Sequence, residues 1–174
     1  MVHANISKGF TLVEVIMVMV ILSILAIVAA PRFVNFQSSA YKTVQKSTIQ
    51  AVKSTMSLGQ VKAAIEGKVN GTIPINGKNV CFESGYPAVK IDKSKCTEPD
   101  PVNFLALMEL DKKQITVVKD KNATNGTPVD QAMTANFADA NTLYLKIHTD
   151  CFVKVTKEAG TPEPTVEPDG NCGD

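Results

Sequence analysis

A run of apolar residues from Phe10 to Ala30 contains one charged side chain, Glu14, and neither Gly nor Pro. The run is 21 residues long, and a helix needs about 20 to cross a hydrocarbon core. A carboxylate within such a span costs roughly 3 kcal/mol unless it finds a partner, so an acid kept there marks function. Glu14 also stands five residues after the basic junction Lys8-Gly9.

Two ordinary readings account for only part of this. A secretory signal has an apolar core of roughly 7–15 residues followed by a small-residue cleavage site. Ala26 to Ala30 could mimic such a site, but the run is longer and a signal has no use for Glu14. A permanent single-span anchor explains the length and again leaves Glu14 unexplained. An acid that is useful only once a neighbour is present explains both features.

Lys8-Gly9-Phe10-Thr11-Leu12-Val13-Glu14 and the apolar run behind it resemble the class III signal peptide of the type IV pilin family. The resemblance covers about the first 35 residues, and it implies a short leader, 1–9, cut after Gly9. Phe10 then becomes the new terminus and Glu14 the fifth mature residue. One bifunctional membrane enzyme, the prepilin peptidase and N-methyltransferase, would cut the leader and methylate the Phe10 amine. The mature chain would have 165 residues, the 174 of the precursor less the nine of the leader. Pro31 matches a proline found in many pilins and implies a kink or local melting of the helix, because proline removes a backbone bond. Glu14 would pair with the Phe10 amine of a neighbouring subunit, a device that sets register better than it adds stability.

The same resemblance implies a homopolymer, the pilus fibre, built at a pilus assembly platform. Before assembly the chain would sit in the inner membrane as a single-pass protein with a periplasmic globular domain; afterwards it would lie in a cell-surface pilus. The charge flanks alone are thin evidence for orientation, with Lys8 before the span and Arg32 after it.

After Pro31 the residues Phe33, Phe36, Ala40, Tyr41, Val44, Ile49, Val52, Met56, Val61 and Ile65 recur at helical spacing. The pattern predicts a 10–30 fibre-core or transmembrane stretch and a 31–66 amphipathic continuation, a helix of about 57 residues and roughly 85 Å. A globular domain follows, 67–174. There, Asn76-Gly77 between Thr72–Ile75 and Lys78–Phe82 predicts a hairpin with Pro74 on an edge strand. Tyr86–Ile91 reads as extended, and Val102–Leu110 as a short helix opened by Asp100-Pro101. Gln114–Lys119 reads as a strand, and Thr142–His148 with Cys151–Thr156 as a second hairpin. Gly160–Gly170, with three prolines, reads as a loop. The fold class is α+β: a long helix packed on an antiparallel sheet, with a disulfide-bounded C-terminal loop.

Four cysteines allow three pairings. Sequential pairing, Cys81–Cys96 and Cys151–Cys172, is the simplest, and each closure is worth about 3 kcal/mol in the chain-entropy model. The layout resembles the type IVa pilin domain. Cys151-Phe152-Val153-Lys154-Val155-Thr156 with Cys172, and Gly85-Tyr86-Pro87-Ala88, resemble motifs of the mannose-sensitive haemagglutinin (MSHA) pilin group. That likeness implies an adhesive fibre for biofilm attachment, with glycan or chitin as its surface. The Cys81/Cys96 pair departs from the group. A minor pilin or a type II secretion pseudopilin is the alternative reading of the same N-terminal motif.

The sequence offers no catalytic residue, cofactor or metal. It lacks Gly-x-Ser-x-Gly, P-loop, dinucleotide and His-Glu-x-x-His patterns. His148 reads as a sheet residue, and no Cys-x-x-Cys supports zinc. Asp150 or Asp169 is the place for calcium in the pseudopilin alternative. With 18 Lys and Arg against 17 Asp and Glu, the charge argues against a nucleic-acid partner. Lys90, Lys93 and Lys95 read as a solvated face, with a polyanion contact as the alternative.

Overall fold

The computed structural model describes residues 9–111, 114–134 and 141–172, so the leader residues 1–8 lie outside the described part. Helix α1 (Leu12–Ile65) is 54 residues long and runs through Pro31 without interruption. The expected stripe is corrected in detail. Gln45, Thr48, Ile49, Val52, Met56, Gly59 and Ala63 are buried, at spacings of three and four, whereas Phe36, Val61 and Ile65 are exposed. Polar Gln45 and Thr48 and small Gly59 and Ala63 share this inner face with Ile49, Val52 and Met56, and at Gly59 the nearness of Pro87 leaves no room for a side chain. The side chain of Phe33 lies outside the described part.

The globular part has two antiparallel sheets rather than the one expected. β1 (Gly71–Ile75), β2 (Lys78–Glu83) and β3 (Tyr86–Pro87) form a three-stranded sheet in that order. Ile75 faces Lys78 across the two-residue Asn76-Gly77 turn, and both turn residues have positive φ, which Asn and Gly tolerate best. Pro74 lies on the edge strand β1, where its missing N–H costs no ladder bond. The second sheet runs β5 (Thr127–Pro128), β4 (Thr116–Val118), β6 (Thr142–His148), β7 (Cys151–Thr156) and β8 (Thr165–Gly170).

Three segments differ from expectation. The Gly160–Gly170 loop contains a strand, β8, with Val155 opposite Val166 and Val153 opposite Pro168. Its prolines are accommodated because β8 is a sheet edge with one side unpaired. The Val102–Leu110 helix shrinks to a 3-10 turn, Phe104–Leu107, capped by Asn103 rather than opened at Asp100. Asn103 is fully buried; its Nδ2 donates to the Ala132 carbonyl, and its Oδ1 accepts from Leu105 N. That carbonyl belongs to a one-turn helix, α2 (Val129–Ala132), which no local pattern announced. Of Tyr86–Ile91 only Tyr86–Pro87 pairs as a strand.

The main core joins Ile49, Val52 and Met56 of α1 to Leu143, Leu145, Val153 and Val155 of β6 and β7. A smaller cluster of Ala63, Ile73, Val80 and Phe82 joins the end of α1 to the first sheet. Both cysteine pairs are bonded in sequence order, Cys81–Cys96 and Cys151–Cys172. The first pins the 88–100 segment to β2 over Ala88 and Ile91. The segment is braced outside by Lys95, which binds Glu83 and Asp92. Hydrogen bonds from Ser94 hold the Asp92 carboxyl below its usual range. A depressed carboxyl supports the fold above its unfolded value and loses that support as pH falls through the folded one.

Two contacts seat the helix. Gln45 Nε2 donates to the carbonyls of Phe152 (2.8 Å) and Asp169 (3.3 Å), tying α1 to β7 and β8 together. Gly59 lies against Pro87, and a Cβ there would stand 2.1 Å from the proline Cγ. The Gly-Tyr-Pro stretch thus supplies the ring on which the helix rests. Gly59→Ala would gain about 1 kcal/mol of helix propensity but collide with a buried ring, at about 1–3 kcal/mol. The collision wins, since the helix cannot move without lifting Val52 and Met56 from the core. Thermal unfolding of the full chain in detergent should show a melting point about 3 °C lower for Gly59→Ala; an unchanged or raised melting point would refute this packing.

Candidate functional site

Among the described residues, nothing covers the apolar start of α1. Every large apolar residue from Phe10 to Val28 is exposed, from 44% at Val15 to 86% at Phe10. Leu12–Ala29 has a mean hydropathy of 3.0 and is long and apolar enough to cross a membrane. Phe10, Glu14, Val15, Val18, Met19 and Leu22 line one open groove along this surface.

At the head of the groove the polar groups are ordered. Thr11 is the N-cap of α1, with φ −77° and ψ 148°. Its Oγ1 accepts a hydrogen bond from Glu14 N at 3.3 Å. Glu14 Oε2 in turn accepts from Thr11 N (3.3 Å) and from the Thr11 hydroxyl (3.2 Å). Two otherwise orphan backbone donors are satisfied reciprocally, the arrangement of a capping box. The Glu14 charge is thereby held at the positive end of the helix dipole. Both of its hydrogen bonds fall on Oε2, and Oε1 has no partner among the described residues. An ionised carboxylate has about four acceptor positions, so capacity is left for a donor from outside the chain. Gly9 and Phe10 precede the cap, exposed and outside the helix.

Sequence reasoning picked out Gly9, Phe10 and Glu14, of which the structure places Gly9 and Phe10 just before the helix and Glu14 in its first turn. It missed Thr11. The pattern Thr-Leu-Val-Glu is itself the signal, a capping residue followed three positions later by an acid and then an apolar run. Pro31 lies farther along the same helix, and the disulfides Cys81–Cys96 and Cys151–Cys172 belong to the globular part. The other polar candidates do not gather into a site. Lys95 is engaged by Glu83 and Asp92, while Lys90 is half-buried. His148 ends β6 and stacks on Tyr41 at 4.3 Å. Asp150 and Asp169 border a shallow depression with Lys121 and Asn122. Among the described residues no three of His, Cys, Asp and Glu gather as metal ligands would.

The segment that carries this capped acid at the head of an uncovered apolar helix, residues 5–30, matches the prokaryotic N-terminal methylation motif. The chain is also 40% identical over 57 residues to the type IV narrow pilus major component PilA5 of Thermus thermophilus. That match covers 33% of this chain and 49% of the relative, so the chain spans about half the length of the curated relative it matches. No solved structure matches it. The likeness thus covers the N-terminal segment, which in this chain is an apolar helix leading into antiparallel sheets with a disulfide near the C-terminus.

The cap can be tested by itself. Thr11→Val keeps the side-chain shape but removes the hydroxyl, and loss of an N-cap costs about 1 kcal/mol. Amide exchange at Glu14 in detergent micelles should quicken about fivefold in the variant. Equal exchange rates in the two chains would show that the cap contributes nothing.

Proposed function

We propose that the chain is a prepilin whose leader, 1–9, is removed after Gly9 and whose Phe10 amine is then methylated, in both steps by a prepilin peptidase. The mature chain is divided into a 10–30 fibre-core helix, a 31–66 continuation and a 67–174 globular domain. It waits in the inner membrane with that domain on the periplasmic side, and an assembly platform then draws it into a type IVa pilus. The motif over residues 5–30 and the pilus-component relative support the class of the reading. One observation carries the mechanism: among the described residues, Glu14 is anchored through Oε2 while Oε1 has no partner beside an uncovered apolar groove.

In the membrane, lipid covers Phe10–Ala29. In a fibre, the same surface packs on neighbouring helices and water is excluded. An unpaired carboxylate is then strongly disfavoured, and the methylated Phe10 amine of the next subunit is the donor that satisfies it. Apolar packing supplies the energy of assembly, and the ion pair selects one stagger among the many that greasy helices allow. Pro31 gives the helix a place to bend where the fibre core ends. The finer reading is an MSHA-like fibre for adhesion and biofilm attachment, with glycan or chitin as the surface it meets. The Cys151–Cys172 region and the Gly85-Tyr86-Pro87 stretch support this, as the features resembling that group.

The test separates the charge from the cap. Glu14→Gln retains an acceptor for the Thr11 N–H but carries no charge, whereas Glu14→Ala lacks both. Both variants should accumulate in the membrane at near-normal levels and yield at least tenfold fewer sheared fibres. Normal fibres from Glu14→Gln would contradict the pairing. Substitution of Gly9 by a bulkier residue should leave the precursor uncut.

A further inference from the structure

Beyond residue 40, α1 is apolar on two sides. Its inner side meets the sheets through Ile49, Val52, Met56 and Ala63. On the outer side Leu58, Val61 and Ile65 are 68%, 57% and 75% exposed. Their spacing of three and four places them on one stripe, turned away from Met56, Gly59 and Ala63. Single exposed apolar residues are ordinary, but a contiguous exposed group marks an interaction surface. The stripe lies on the same helix as the uncovered Phe10–Ala29 surface.

The charges are sorted as well. Residues 32–68 hold six cations, Arg32, Lys42, Lys46, Lys53, Lys62 and Lys68, against Glu66 alone. Residues 157–172 hold four anions, Glu158, Glu163, Glu167 and Asp169, against Lys157 alone. Lys62 pairs with Glu66. Lys42, Lys46 and Lys53 are exposed at helical spacing, and Glu163 and Glu167 are exposed on the C-terminal edge. No salt bridge joins these two sets among the described residues. The acidic edge includes β8, an outer strand whose Pro168 has no N–H to donate to an added strand. The side chains of Pro162, Glu163, Glu167 and Pro168 are all exposed along it. The apolar stripe and the lysines thus occupy successive stretches of the exposed side of α1, and the C-terminal edge carries both apolar and acidic groups.

We propose that the outward face of the second half of α1 is an interface between copies of this chain, in which the Leu58–Val61–Ile65 stripe and Lys46 and Lys53 receive the Pro162–Pro168 edge of a neighbouring copy. The inference rests on the fibre reading above and adds the surface by which the globular parts meet. Charge complementarity of this kind sets orientation and rejects wrong partners more than it adds affinity.

The experiment uses full-length chains in cells, read by sheared-fibre yield, membrane level and non-reducing mobility. Lys46→Glu with Lys53→Glu, and separately Glu163→Lys with Glu167→Lys, should each lower fibre yield at least tenfold at unchanged membrane level. All four substitutions together should recover most of it. Unchanged yield from either pair, or no recovery in the combination, overturns the interface while leaving the fibre reading standing. Reduced surface attachment with normal fibres also overturns it, since the face would then serve another partner. Absence of fibres from the unaltered chain sinks both readings. As a second measurement, zero-length carbodiimide coupling of intact fibres mixed from heavy- and light-labelled chains should give mixed-label Lys46 or Lys53 peptides joined to Glu163 or Glu167. Only same-label peptides would overturn the interface even if a variant failed to fold.

Discussion

The exposed apolar surface between Phe10 and Val28 is the constraint to which the rest of the molecule answers. Burying one Val, Leu, Ile or Phe side chain is worth about 1.5–3 kcal/mol. Over this stretch the total exceeds the roughly 5–15 kcal/mol of net stability typical of a whole domain. No surface of the described chain covers it. In the proposed function that surface is covered by lipid before assembly and by helices of its own kind afterwards. Glu14 is costly in both settings unless partnered, and so it is the one residue in the run that can tell one packing arrangement from another. The capping box with Thr11 lowers that cost within the single chain by engaging one carboxylate oxygen, and among the described residues the other has no partner.

The globular part can be understood as a mount for this helix. Gln45 fastens α1 to β7 and β8 through two carbonyls, and Gly59 allows the helix to settle on Pro87. The Cys151–Cys172 bond joins the start of β7 to the residues just past β8, so the strands that Gln45 grips are themselves tied together. The Cys81–Cys96 bond does the same for the irregular 88–100 segment, which is otherwise held by Val89 in the main core and by the small cluster of Ala88 and Ile91. Each device stiffens the junction between a long lever and a small domain. Without such a junction, the position of the helix tip would say little about the position of the domain.

Much of this was legible in the sequence because it rests on local rules. The uninterrupted apolar run, the Asn76-Gly77 hairpin, the alternation of Leu143, Leu145 and Ile147, and both cysteine pairings appear where the residues place them. The strand β8 was hidden because prolines usually signal a loop, and only its position at a sheet edge makes them harmless. Gln45 and Gly59 were hidden for a related reason: a hydrophobic pattern rewards large apolar residues, while a helix pressed against backbone needs an amide and a bare Cα. Val61 and Ile65 fit the helical pattern and proved to lie on the other side of the helix. Periodicity reports that a helix has an apolar face without saying how many it has. Thr11 was overlooked although its capping pattern was plain, because the acid beside it was read only for its charge.

The central claim is that Phe10 becomes a free, charged N-terminus beside an acid that needs one. Intact mass with N-terminal sequencing of the protein purified from its native envelope tests this most directly. The account predicts a chain of 165 residues that begins at Phe10 and carries one methyl group on its amine, the 174 of the precursor less nine. Recovery of a stable envelope protein that still carries Met1 to Gly9 would contradict it.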